Sequence, residues 1–156
     1  MKKLSLVLAA LFLASGSAFA ADQATTVEKC AIQEVLPGKD MTGAFVTFHH
    51  KGPAVNIVSA EIPSITTHVE LHSMEMKDNV MTMIPLTDPE LKEGTREFKK
   101  GADHVMVMSI PDDKKPKVGD KHTMIFKFSD NTQVTCEAEV KSIDEIMKEA
   151  KMHKAH

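Results

Sequence analysis

The segment His104-Val105-Met106-Val107-Met108 carries two chemistries on one short strand. Alternate side chains of a β-strand point to opposite faces. His104, Met106 and Met108 therefore share one face, and Val105 and Val107 share the other. One face offers imidazole nitrogen and thioether sulfur; the other offers plain core residues. Upstream, Met81-Thr82-Met83 repeats the alternation, and His72 lies one hairpin arm before it. The spacing runs His72, ten residues, Met83, twenty residues, His104, one residue, Met106. Imidazole and thioether are borderline to soft ligands. They suit Cu(I) and discriminate against hard, oxygen-seeking ions. A thioether has no proton to lose, and a site without thiolate is not lost to disulfide formation. The competing reading is packing, because methionine fills irregular cores and a methionine stripe on a strand is often core.

The composition sharpens this choice. The 156 residues include 11 Met and 8 His but no Trp or Tyr. Residues 1–20 read as a signal peptide: Lys2 and Lys3 start it, Leu4 to Leu13 is apolar, and Ala18-Phe19-Ala20 is a small-x-small cleavage site. Cleavage after Ala20 leaves a chain of a length suited to one domain with one core. We place that copper-binding domain at 21–141 and a helical tail containing His and Met at 142–156. No further apolar run is long enough to span a bilayer, so membrane insertion is not expected. Without Lys2 and Lys3, 17 basic residues face 22 acidic ones, a net of −5. That balance gives no reason to expect nucleic acid as a partner. Cys30 and Cys136 lie near the two ends of the domain. In an exported chain such a pair reads as a disulfide; the rival is a pair of free thiols that help hold copper.

Several short strands must position these residues. Val27 to Val35, Thr42 to Phe48 and Ala54 to Ile62 read as strands, with turns at Leu36 to Asp40 and at His49 to Pro53. Thr66 to Met76 and Val80 to Leu86 form the clearest hairpin. With Asp78-Asn79 as a two-residue loop, Met74 opposes Met83 and His72 opposes Pro85, which puts His72 and Met83 diagonally on one face. A three-residue loop would separate them. Thr87 to Lys100 reads as a loop with a short strand at Thr95 to Phe98. Lys121 to Phe128 and Thr132 to Val140 form another hairpin, after a lysine-rich loop from Pro111 to Asp120. Strands at this spacing predict an all-β sandwich or barrel. Ser142 to Lys154 is the one helical segment, with Ser142 and Glu145 spaced as a capping box.

Three segments follow in order: Glu70-Leu71-His72, then Asn79 to Leu86 (Asn-Val-Met-Thr-Met-Ile-Pro-Leu), then His104 to Met108. In these the chain resembles the periplasmic copper chaperones of the PCu(A)C type, and the resemblance covers most of the mature chain, from about Cys30 to Val140. The resemblance implies a cupredoxin-like antiparallel β-sandwich that binds Cu(I) through two His and two Met. Carried over residue by residue, the ligands are His72, Met83, His104 and Met106. It further implies a periplasmic location and delivery of copper to an accepting protein, toward the CuA subunit of cytochrome oxidase or its assembly factors.

Other residues have lesser claims. Met74, Met81 and Met108 read as neighbours of the site or as core. His68, Glu70 and His72 share a face of a regular strand, so His68 flanks the site. His49 and His50 read as solvated turn residues, and His122 as a surface strand residue. Met152, His153 and His156 form an accessory candidate that could take Cu(II) in the tail. An enzyme is not expected. No nucleophile motif surrounds any Ser, no His-Glu-x-x-His is present, and the two cysteines are far from Cys-x-x-Cys spacing. A copper buffer without a dedicated acceptor, and a methionine-rich structural domain, are the alternative functions.

Overall fold

The computed structural model describes residues 23–152; the segment 1–20, read from the sequence as a signal peptide, and His153 and His156 of the tail lie outside them. Ten strands follow in chain order: β1 (Thr25–Gln33), β2 (Thr42–His50), β3 (Val55–Glu61), β4 (His68–Lys77), β5 (Val80–Pro85), β6 (Glu90–Leu91), β7 (Gly94–Phe98), β8 (His104–Met108), β9 (Lys121–Phe128) and β10 (Gln133–Lys141). A 3-10 turn at Asp112–Lys114 precedes β9, and one α-helix, α1 (Ile143–Met152), closes the described chain. The strands pair in the order β5-β4-β8-β2-β1-β10-β9-β3-β6, with β7 also paired to β2. The fold is cupredoxin-like.

One hydrophobic cluster joins the strands of this sheet. Phe48 of β2 meets Phe98, Phe126 and Phe128 edge-on, at centroid distances of 5.2, 5.0 and 6.3 Å. Edge-to-face contact suits the ring quadrupoles and adds to the burial of apolar area. Ile32, Ile57, Val105, Val107 and Val140, from four different strands, complete the same cluster. On β8 the alternation therefore resolves as expected: Val105 and Val107 face the core, and His104, Met106 and Met108 face outward.

Two expectations are corrected. The sheet is not purely antiparallel, because β1 runs parallel to β10 through Ala31, Ile32 and Gln33. These are the first and last strands of the described chain, so no hairpin obliges them to pair antiparallel; just before the pairing begins, the register of β1 to β2 shifts between Glu28 and Ala31, and Lys29 has φ of +53°. A bulge bends a strand, here at the point where β1 joins β10. His49 and His50 do not form a turn. They pair with Thr95 and Gly94 and finish β2. His50 is buried, its ring nitrogens bonded to the Thr25 hydroxyl at 2.8 Å and the Pro53 carbonyl at 2.7 Å. The chain turns only beyond it, where Gly52 takes a φ of +87°.

Cys30 and Cys136 form a disulfide, with Cα atoms 6.5 Å apart. It ties β1 to β10 beside the bulge, and no free thiol remains in the chain. Helix α1 starts as its capping box predicts. Ser142 N–H donates to Glu145 at 2.9 Å, and Glu145 N–H donates to Ser142 Oγ at 3.3 Å. Ile146 then packs on Phe45 and Ala31.

Candidate metal centre

The β4–β5 hairpin turns through Asp78 and Asn79, with φ of +50° and +62°. Two central residues of positive φ make the primed turn that matches strand twist. The register is the one a two-residue loop predicts. His72 opposes Pro85, Met74 opposes Met83 and Met76 opposes Met81. On its other side β4 pairs with β8, and His72 opposes His104, Glu70 opposes Met106 and His68 opposes Met108. Three adjacent strands thus carry His72, Met83, His104 and Met106 on one outward face. His104 and Met106 are each 6% exposed, while Met83 is 43% exposed. Met83, His104 and Met106 line a cleft of about 690 Å3 with Met41 and Met74. The His72 side chain stands beside His104, 12% exposed.

The ring nitrogens of the two histidines have separate tasks. His104 Nδ1–H donates to the Ala102 carbonyl at 2.8 Å, which leaves the lone pair on Nε2. Burial pushes the His104 pKa down, favouring the neutral ring that metals need. His72 Nε2–H donates to the Glu70 carboxylate at 2.7 Å, which leaves the lone pair on Nδ1. That Nδ1 is buried without a hydrogen-bond partner. A buried acceptor left unpaired is costly, and a metal ion would relieve it. The ring centroids lie 6.1 Å apart. Two imidazoles sharing one ion at nitrogen–metal bonds of about 2.0 Å would have centroids about 5 Å apart at a tetrahedral angle and about 6.3 Å apart in line. The observed separation falls between these limits.

Glu70 has a larger part than sequence reasoning gave it. Its second oxygen accepts from His68 Nε2–H at 2.9 Å, and His68 Nδ1 is bonded to Ser109 Oγ at 3.1 Å. These donors, His72 first, hold the Glu70 carboxyl below the usual carboxylate range. A carboxylate behind a ligating imidazole fixes its tautomer and orientation. Glu70→Gln keeps one acceptor oxygen and presents an NH2 to the other histidine. The expected result is a 10–100-fold loss of metal affinity, the usual cost of an outer-shell partner, with the unfolding midpoint little changed. A competition titration against a chromophoric chelator measures the first, and thermal unfolding the second.

A second support lies behind His104. Asp103 accepts from Ser73 Oγ at 2.6 Å and from Arg96 Nη2 at 2.7 Å. Arg96, the sole arginine of the chain, also donates to the carbonyls of Glu90 and Asp88, each at 2.8 Å. Its guanidinium lies 5.4 Å from the Phe98 ring centroid. One planar fork therefore ties β7, the Asp88–Glu90 loop and the start of β8 together. Lysine cannot reproduce that fork. Arg96→Lys should weaken metal binding about tenfold, the lower end for an outer-shell partner, and double-quantum-edited spectra of the His104 ring should broaden as its strand loosens. Unchanged affinity and a sharp His104 signal would remove Arg96 from the account. These are long-range contacts, and the lone arginine was the one trace of them in the sequence.

The remaining candidates sit elsewhere. Met152 ends α1, 65% exposed, and lines a separate cleft against Phe45 and Cys30. His122 is more covered than a surface residue; it bonds Ser64 Oγ at 2.8 Å, and its Nε2 is buried without a partner. Among the described residues, no group of three His, Cys, Asp or Glu is placed to hold a metal ion, and no helix is long and apolar enough to cross a membrane.

Comparison with known proteins agrees with this fold. A family model described as "Putative lipoprotein LpqE-like" matches residues 25–140. No curated protein matches the chain. Among solved structures, the apo PCuAC domain of PmoF1 superposes with a TM-score of 0.61 at 14% identity, over 77% of this chain and 95% of that one. The copper-bound PCuAC domain of PmoF2 gives 0.59 at 16%, over 77% and 94%. The CuI form of DR1885 from Deinococcus radiodurans gives 0.55 at 24%, over 81% and 83%. The match to the family model spans the whole described sheet except the last residue of β10, and the PCuAC resemblance read from three short segments extends to the architecture. The chain belongs to the LpqE-like family and has the fold of the PCuAC domains.

Proposed function

We propose that this protein is a Cu(I)-binding metallochaperone of the periplasm. Copper is its cargo, held by His72 Nδ1, His104 Nε2 and the thioethers of Met83 and Met106. The observation that carries this reading is the pairing of His72 with His104 across β4 and β8, with the buried His72 Nδ1 unpartnered. The similarity of fold to a copper-bound PCuAC domain and to a CuI-loaded protein supports the choice of ion. The donor set does too, since thioethers prefer Cu(I) over hard cations.

Release follows from the same ligands. Met83 stands open to solvent while the other three donors are sheltered. An acceptor thiolate can attack copper from the Met83 side and displace that weak neutral donor first. Each later exchange replaces a thioether or imidazole by a stronger soft ligand, so transfer to a thiolate-containing site is downhill. The CuA subunit of cytochrome oxidase, or one of its assembly factors, fits as acceptor. No catalytic step is needed. The disulfide fits an oxidising compartment, and the family description fits export.

Mixing the Cu(I)-loaded protein with an apo CuA domain tests this function. The expected result is the appearance of CuA absorbance on reoxidation, with loss of copper from the donor. A loaded protein that keeps its copper against a CuA acceptor would contradict delivery. Capacity separates the buffering alternative: a buffer would use Met152, His153 and His156 as an accessory site, for Cu(II), and truncation after Lys151 would remove it.

A further inference from the structure

The outer face of the β4–β5 hairpin carries more methionine than the four-ligand centre uses. Met76 opposes Met81, one step beyond the Met74–Met83 pair. All four lie on the same face, since directly paired residues project to the same side and residues two apart on a strand share a face; Glu75 and Thr82 between them are exposed on the other side. Met76 is 61% exposed and Met81 47% exposed. Core packing does not account for them. The opposite face of β4 packs on the core, through Val69 and Leu71. Solvent-facing positions on a hairpin arm ordinarily take polar or β-branched residues. What thioether offers there, and an alkyl chain does not, is a soft lone pair.

The geometry suits one ion. Directly opposed residues have Cβ atoms about 4.5–5.5 Å apart, and residues two apart on a strand are about 6.6 Å apart. Each methionine swings its sulfur on three rotatable bonds, so three sulfurs can converge at bonds of about 2.3 Å, as in comparable sulfur sites. We propose that Met74, Met76 and Met81 form a second Cu(I) site on the exposed hairpin face, adjoining the cleft. Three neutral thioethers without imidazole bind more weakly than the two-His, two-Met set. They also exchange faster, being exposed. Met74 and Met83 lie side by side at the mouth of the cleft, so an ion captured at the hairpin has a short path inward. The inference rests on the Cu(I) reading for the choice of ion alone.

Ag(I), a redox-inert stand-in for Cu(I), tests it by methyl spectra of protein labelled at the methionine methyl carbon. The first equivalent should shift Met83 and Met106. The second, at least tenfold weaker, should shift Met76 and Met81. In Met76→Leu/Met81→Leu, which keeps side-chain volume, the first equivalent should remain and the second should vanish. The proposal is overturned if the Met76 and Met81 methyls stay unmoved through three equivalents, if they shift together with Met83 and Met106 in a single step, or if the leucine variant still binds two ions. Failure of Met83 and Met106 to respond would instead count against the four-ligand centre, and is read from different signals.

Discussion

Replacing His104 and Met106 together by alanine should abolish the tight Cu(I) equivalent while the sheet persists. The pair removes one of two imidazoles and one of two thioethers, leaving His72 and Met83 as a two-coordinate remnant. Loss of an outer-shell partner costs about 10–100-fold, and loss of two inner ligands should exceed that. Anaerobic competition against a chromophoric Cu(I) chelator measures it. The control is structural. His104 and Met106 both point away from the core that Val105 and Val107 serve, so far-UV circular dichroism should be unchanged. Unchanged copper affinity in this variant would move the site elsewhere, to the hairpin methionines or the tail.

Cys30→Ala/Cys136→Ala should be the most destabilising change that leaves copper binding in place. The bond closes a loop with a sequence separation of 106. In the chain-entropy model a loop of about 100 residues is worth roughly 4.7 kcal/mol, a large part of the 5–15 kcal/mol typical of a domain. Urea unfolding should show that loss as a lower midpoint. At 25 °C the folded variant should still bind one tight Cu(I). Both sulfurs are committed to each other and lie on β1 and β10, whereas the proposed ligands lie on β4, β5 and β8. A folded variant that no longer bound copper would place a cysteine in the metal site after all.

Local patterns were readable in the sequence because their physics is local. The alternation in His104 to Met108 separates a core face from a donor face without reference to any other strand. Asp78-Asn79 sets the β4–β5 register, since a tight primed turn leaves little choice of pairing. The ends of β8 and β9 were found to the residue. What was missed depends on partners distant in the chain. The parallel β1–β10 pairing joins the first and last strands, whose relative direction no turn between them sets. Gly52-Pro53, which follows closely, makes His49 and His50 read as a turn, yet the Thr25 hydroxyl and Pro53 carbonyl hold His50 inside. β6 reads as loop because two residues carry no periodicity. The hold of Glu70 on His72 was half visible, as a shared strand face; the choice of ring nitrogen was not.

The central claim is the ligand set, and X-ray absorption at the copper edge tests it most directly. Protein loaded with at most one equivalent of Cu(I) should show two nitrogen scatterers at about 2.0 Å and two sulfur scatterers at about 2.3 Å, the distances of comparable mixed nitrogen and sulfur sites. An imidazole multiple-scattering pattern should accompany the nitrogens. A first shell of nitrogen and oxygen with no sulfur, or one of sulfur alone with no imidazole, would contradict the account.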